Sequence, residues 1–423
     1  MSPHLACVVG LCLVFIVGTA LPVNMGAVAF VAAFVVGTWF VGIPAATLLS
    51  GFPGDLFVTL VGITYLFAIA QNNGTVDWLV RQAVRLVRGH TAAIPWVMFF
   101  VTALLTGVGA VSPGAVAVIA PVALRFANQY RISPLLMGLM VIHGAQGGGF
   151  SPISVYGGIT NQVMQRASLP IDDTYLFLAS FVFNLSVAVV IFFVFGGRRL
   201  LRPPPRPSDT ADAPAPAAES TQAHLTRQQV ITLMGLGALG IGALVYDLNV
   251  GLVAITVAVV LTVLFPKEQK GAVEQVHWST ILLICGVVTY VSVLQKAGTI
   301  DFVGTSVSTG STPLIGALLL CYVGGIVSAF ASTVGVLGAI IPLAVPMLVL
   351  GHIDAVSVVS ALAISSSIVD VSPFSTNGAL VLASAQGADR ESLSKQLLAY
   401  SFVVVALAPL FAWASLVLAT RVM

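Results

Sequence analysis

Charge is what this sequence has least of: Asp, Glu, Lys and Arg make up 8% of its 423 residues. So few charges cannot solvate a soluble domain of this length, which excludes a soluble enzyme, a nucleic-acid binder and a disordered scaffold. The net charge of +2 is too small to recruit a polyanion, so no nucleic-acid partner is expected. Cysteine is nearly as scarce. The four residues, Cys7, Cys12, Cys285 and Cys321, lie in apolar segments and form neither a disulfide framework nor a metal-ligand spacing. Also missing are a His/Asp/Glu metal cluster, a nucleophile with a base partner and a phosphate loop. These absences argue against an enzyme and against an ATP-driven pump, and no cofactor is expected beyond Na⁺ or H⁺ as a coupling ion. Met1 to Ala20 carries no Lys or Arg before its hydrophobic run, so it reads as a first span rather than a cleaved leader.

What the chain has is apolar sequence: 58% hydrophobic residues and a mean hydropathy of +1.04. Such a composition predicts an all-α polytopic membrane protein, because a spanning helix satisfies its own backbone. Apolar stretches at 5–22, 26–45, 54–71, 133–150 and 173–195 are followed by a break, then by 228–246, 250–265, 277–295, 355–370 and 394–419. The break, 198–227, runs through an arginine-rich start and six prolines between Pro203 and Pro216, and reads as a flexible linker. It separates a first half, 1–197, from a second, 228–423. Each half holds about five spans and one apolar region too long for a single span, 92–126 and 313–350, interrupted by Ser, Thr and Gly. Both regions read as re-entrant hairpins. The returning arm of the first, Pro113 to Leu124, is taken as 12 residues, about 18 Å of helix and too short for a core of ~30 Å.

Lys and Arg predict the orientation. Val76 to Arg88 reads as an amphipathic interfacial helix with Arg81, Arg85 and Arg88 on one face, at the cytoplasmic surface. With the first hairpin entering from that side, fourteen of the seventeen Lys and Arg become cytoplasmic, leaving Arg166, Lys296 and Arg421 outside. Both termini then face outward, the linker is cytoplasmic, and the odd number of spans makes the halves oppositely oriented.

The halves also share residues. Gln71-Asn72-Asn73-Gly74-Thr75-Val76-Asp77 matches Gln295-Lys296-Ala297-Gly298-Thr299-Ile300-Asp301 at an offset of 224. Farther along, Ser112, Gly114, Pro121, Ser151, Pro152 and Ser154 align with Thr333, Gly335, Pro342, Ser372, Pro373 and Ser375 at an offset of 221. Inverted repeats with interrupted hydrophobic segments at matching positions point to a secondary-transporter site at the bilayer midplane.

Residue types say what such a site would bind. Ser151-Pro152-Ile153-Ser154 follows three glycines in mid-segment, where Pro removes a donor and Gly tolerates unwinding, so the helix over 133–165 should break there. Ser372-Pro373-Phe374-Ser375-Thr376-Asn377-Gly378 predicts the same over 355–386. Two hairpin tips, at Ser112 and Gly114 and at Ser332, Thr333 and Gly335, join the two breaks in one candidate substrate site. Half-helix N-termini and hydroxyls there suit an anion without a fixed cation, and free carbonyls near the tips suit Na⁺. Asp370 is the one carboxylate deep in a predicted span and becomes a candidate for cation coupling, together with Ser112, Thr333 and His143. Alternatively, Asp370 is a structural hydrogen-bonder and His143 a packed histidine bonded to a helix carbonyl.

Gly147-Gly148-Gly149-Phe150-Ser151-Pro152-Ile153-Ser154, together with the hairpins and the Pro-rich linker, resembles the ion transporter superfamily. Within it the chain is similar to divalent anion:sodium symporters and especially to MatC-like dicarboxylate (malonate) carriers. That resemblance implies a homodimer in a bacterial inner membrane, carrying a C3 to C5 dicarboxylate with Na⁺ or H⁺ by an elevator movement. It also implies binding residues at Ser-Asn-Thr hairpin tips and at Ser-Pro breaks. The breaks match, at Ser151, Pro152, Ser372 and Pro373, with Asn377 beside the second. At the tips Val111-Ser112-Pro113 and Ser332-Thr333-Val334 keep hydroxyls and lack the amide. A Na⁺/H⁺ or oxyanion antiporter of the same superfamily is the alternative expectation.

Overall fold

The computed structural model describes residues 2–85, 90–201, 225–246, 248–266, 270–300, 302, 313–329, 333–349, 353–385 and 389–419. Ser332, Arg88, Asp301, Lys267, Arg421 and the linker over 202–224 lie outside the described residues. Every regular element among those described is helical. The first half contains α1 (Pro3–Ala20), α2 (Met25–Val35, continued by a wide turn over Val36–Val41), the short α3 (Ala45–Leu49), α4 (Gly54–Asn72) and α5 (Thr75–Arg85). It continues with α6 (Ile94–Gly107), α7 (Ser112–Gln129), α8 (Pro134–Gly148), α9 (Val155–Arg166), α10 (Asp173–Val194) and the single turn α11 (Gly197–Leu200). The second half contains α12 (Arg227–Leu244), α13 (Val250–Leu264), α14 (Trp278–Lys296), α15 (Pro313–Ser328), α16 (Thr333–Val349), α17 (Ala355–Ile368), α18 (Thr376–Ser384) and α19 (Asp389–Trp413).

Among the described residues four helices are long and apolar enough to cross a membrane: Gly54–Asn72, Asp173–Val194, Trp278–Lys296 and Arg390–Leu418. Shorter apolar helices occupy four further predicted spans, at Pro3–Gly18, Met25–Val41, Val250–Leu264 and Ala355–Ile368. The predicted breaks are present. Helix α8 stops at Gly148 and α9 starts at Val155, while α17 stops at Ile368 and α18 starts at Thr376. The returning arm of the first hairpin region differs from the expectation. Helix α7 runs through Pro121 and past Leu124 to Gln129, 18 residues in all, or about 27 Å of helix. Ala123, Leu124 and Ala127 stay buried beyond the proline, and this packing carries the helix onward where Pro would otherwise end it.

Packing crosses between the halves. Helix α4 lies on α13 and α14 on α2, while α7 lies on α18 and α16 on α9. One apolar core joins α1, α2, α14, α16 and α17, and a second joins α6, α7, α8 and α10 to Val381, Leu393 and Leu397 of the other half. Near the 47–51 segment two cations reach back to the chain: Lys296 donates to Thr47 O and Ser50 Oγ, and Arg166 donates to Gly51 O at 3.5 Å.

Candidate functional site

The two breaks are built alike. In the first, Ser151 Oγ donates to Gly107 O at the end of α6, and Ser154 Oγ donates to Gly149 O and to Ser151 O. In the second, Ser372 Oγ donates to Ala329 O just beyond α15, at 3.0 Å, and Ser375 Oγ donates to Ser372 O at 2.8 Å. Proline leaves backbone carbonyls without helical partners, and these hydroxyls take up the task. Each break is then crossed closely by the next helix. A Cβ on Gly157 would collide with Ser151 O, and one on Gly378 with Ser372 O, so only glycine lets the second half-helix start this near.

Four helix N-termini meet at one place. Pro113 of α7, Tyr156 of α9, Thr333 and Val334 of α16, and Thr376 of α18 all belong to first turns, and all line a single cavity of about 370 Å³. Asp370 lines it too. Each N-terminus contributes about half a positive charge, so the cavity favours an anion although no Lys, Arg or His among the described residues lies in its wall. The remaining wall comes from the α1–α2 turn, with Asn24 and Met25, and from the start of α14, with Ser279 and Thr280. Asn24 joins these two segments: its side-chain nitrogen donates to Ser279 O and Oγ, both at 2.9 Å, and its oxygen accepts from the Gly26 and Ala27 amides.

Asp370 is buried, 3% exposed, and its carboxylate accepts from the Asn377 backbone N–H at 3.1 Å. The Asn377 side chain spans the halves, donating to Ser112 Oγ at 2.9 Å, and its own carbonyl oxygen is buried without a hydrogen-bond partner. The Tyr156 hydroxyl lies against Ser112 and Thr333 and beside Asp370. Thr333 Oγ1 also meets Ser328 Oγ at 3.0 Å. An oxygen-rich pocket results: the Asp370 carboxylate, the unpaired Asn377 carbonyl and the hydroxyls of Ser112, Thr333 and Tyr156. Hard monovalent cations prefer such donors, and a proton could reside on the carboxylate instead.

The predicted residues divide accordingly. Thr333, Thr376 and Asp370 face the cavity, and Ser112 and Asn377 stand directly behind them. Ser151, Ser154, Ser372 and Ser375 are committed to backbone carbonyls. Pro152 and Pro373 shape the breaks and are not in the cavity wall. Gly335 packs against Leu283 and Met25, where a Cβ would lie 3.5 Å from Met25 Sδ. Gly114 lines a separate cavity of about 40 Å³ with His277, whose Nε2 would be 3.3 Å from a Cβ there. His143 is held away from the cavity, with Nδ1 bonded to Asn184 Oδ1 at 3.1 Å and Nε2 to the Tyr400 hydroxyl at 2.8 Å. Asn184 Nδ2 donates to Ser180 O, so its oxygen accepts, His143 donates through Nδ1, and Tyr400 donates to Nε2. Sequence reading missed Tyr156 and the Asn24–Ser279 wall, because nothing local marks an aromatic after a break or a loop polar pair as cavity-facing. Among the described residues no group of three His, Cys, Asp or Glu is placed to hold a metal.

Comparison with known proteins bears on this arrangement. Residues 1–149 match the sequence profile described as the dicarboxylate carrier protein MatC N-terminus. The YdaH transporter of Alcanivorax borkumensis aligns over 98% of this chain and 98% of its own, with a TM-score of 0.59 and 15% identity. MtrF of Neisseria gonorrhoeae, described within a class of antimetabolite efflux pumps, aligns over 98% of this chain and 95% of its own, with a TM-score of 0.58 and 12% identity. No curated protein matches the chain. At these identities the structural likeness is one of fold, and the chain has the helical architecture of the two transporters.

Proposed function

We propose that this chain is a secondary active carrier of a small carboxylate, a C3 to C5 dicarboxylate, coupled to Na⁺ or H⁺. The observation that carries the reading is the convergence of four helix N-termini and the Asp370 carboxylate on one cavity with no Lys, Arg or His among the described residues of its wall. The N-termini attract an anion; Asp370 repels it until a cation or proton neutralises the carboxylate. Binding of the two solutes is thereby linked, which is what symport requires. The match of residues 1–149 to a dicarboxylate carrier profile supports the choice of substrate class.

The same reading takes the halves as inverted repeats with re-entrant hairpins. Reciprocal packing of α4 on α13 and α14 on α2, and of α7 on α18 and α16 on α9, supports it. So does the short α6, 14 residues or about 21 Å against a core of ~30 Å. Because the cavity wall includes the α1–α2 turn and the start of α14, placed on the cytoplasmic side by the arginine bias, the proposed state is open to the cytoplasm. A homodimer in a bacterial inner membrane, with the tips and breaks moving as an elevator past α2 and α14, completes the proposal. Asp370 also favours a second reading, a Na⁺/H⁺ or oxyanion antiporter.

The test is uptake by the full chain reconstituted in liposomes. Saturable entry of labelled malonate or succinate, driven by a Na⁺ or proton gradient and sensitive to Asp370→Asn, is expected. Pure Na⁺/H⁺ exchange, with no organic anion entering under either gradient, would replace this reading with the antiporter.

A further inference from the structure

A second recess lies away from the central cavity, where the α7–α8 turn meets the end of α10. A groove of about 460 Å³ is lined there by Asn128, Arg131, Ser133 and Arg199, over a floor that includes Leu136 and Phe195. It adjoins a groove of about 240 Å³ that shares Asn128 and Pro134 and adds Arg125. Among the described residues no carboxylate lines either groove. Among the described residues the one ion pair is Lys395 with Glu391, so Arg125, Arg131 and Arg199 have no acidic partner there. Arg131 and Arg199 share one groove and Arg125 lines the groove beside it, so with no acidic partner among the described residues a bound anion would relieve their mutual repulsion. The recess also holds the start of α8, a 15-residue helix whose first turn is the positive end of its dipole.

We propose that this recess binds a phosphate group, and its surroundings favour the headgroup of an anionic phospholipid as the source. Guanidinium forks match phosphate oxygens in pairs, and the Asn128 and Ser133 side chains add polar partners at the rim. Helix α10 leads into the recess bearing exposed Val189, Val190, Phe193 and Val194, with Leu201 just beyond, a strip suited to acyl chains. A basic pocket between helices at the cytoplasmic surface, where the arginine bias puts this groove, is a setting in which anionic headgroups are held.

The experiment is thermal unfolding of the full chain in detergent with added phosphatidylglycerol, phosphatidylcholine or inorganic phosphate. Phosphatidylglycerol should raise the unfolding temperature saturably and more than phosphatidylcholine. Its apparent affinity should fall about fivefold per arginine removed, by the usual worth of a basic residue at an anionic surface. Arg131→Gln with Arg199→Gln should remove most of the shift, while Arg81→Gln should leave it. Arg131→Lys with Arg199→Lys keeps the charge and should retain part of the effect, which provides a measurement even if the glutamine pair does not fold. An equal, arginine-dependent shift with inorganic phosphate alone would support the site and assign it to free phosphate. A phosphatidylglycerol shift unchanged in the glutamine pair, or in the lysine pair and Arg199→Gln alone where the former cannot be purified, overturns the proposal.

Discussion

The two helix breaks share their construction and differ in charge. Ser151 bonds the carbonyl at the end of α6 and Ser372 the carbonyl just beyond α15, Ser154 and Ser375 each bond back into their own break, and Gly157 and Gly378 each admit a close carbonyl. At the position where the second break carries Asp370, the first carries Gly149. What is duplicated is thus the backbone device that ends one helix and starts another in a confined space. The unduplicated residue brings the charge. In the proposed carrier, two equivalent frames hold the substrate and one asymmetric carboxylate couples it to an ion.

Removing the asymmetry should have the largest effect. Asp370→Asn keeps the shape and deletes the charge on which the proposed coupling to a cation or proton depends. Coupled uptake should fall more than about 100-fold, while the unfolding temperature of the purified protein stays near wild type. A large loss of stability with coupling intact would make the residue structural.

Next come the shared parts. Gly157→Ala and Gly378→Ala each force a methyl into a backbone carbonyl, and overpacking of this kind costs about 1–3 kcal/mol. Similar losses in unfolding midpoint are expected for the two, and a clear inequality would show that the frames are not equivalent. A smaller effect concerns the link between them. The Asn377–Ser112 bond should show a coupling of about 1 kcal/mol in a double-mutant cycle with Asn377→Ala and Ser112→Ala, read as substrate-induced stabilisation. The smallest effect on transport is expected for His143→Gln. With its ring tied to Asn184 and Tyr400, its loss should lower stability and leave the Na⁺ and pH dependence of uptake unchanged; altered ion dependence would return it to the coupling machinery.

Legibility in the sequence followed the kind of interaction. Breaks at Gly149 to Ser154 and Val369 to Ser375 were readable because Gly and Ser-Pro act on their own backbone. Helix α7 exceeds the 12 residues expected from Pro113 to Leu124 because tertiary burial of Ala123 and Ala127 carries it on to Gln129. Ser151, Ser154, Ser372 and Ser375 were read as ligands, yet a hydroxyl beside an unwound carbonyl has a nearer acceptor. Tyr156 and Asn24 could not be assigned, since their place in the cavity depends on helices more than a hundred residues away. Asp370 was legible for a different reason: a carboxylate in so apolar a segment is costly wherever it lies.

The crossed packing of α7 on α18 and of α9 on α16 also governs the order of assembly. During synthesis the first hairpin region and first break emerge long before residues 333–384 exist to cover them. Their inner faces, with the buried Ser112 hydroxyl among them, must wait in the bilayer for partners encoded in the other half. Maturation therefore ends with a docking step between halves, and a chain stopped at the linker would carry every residue of the first frame without the surface that closes it.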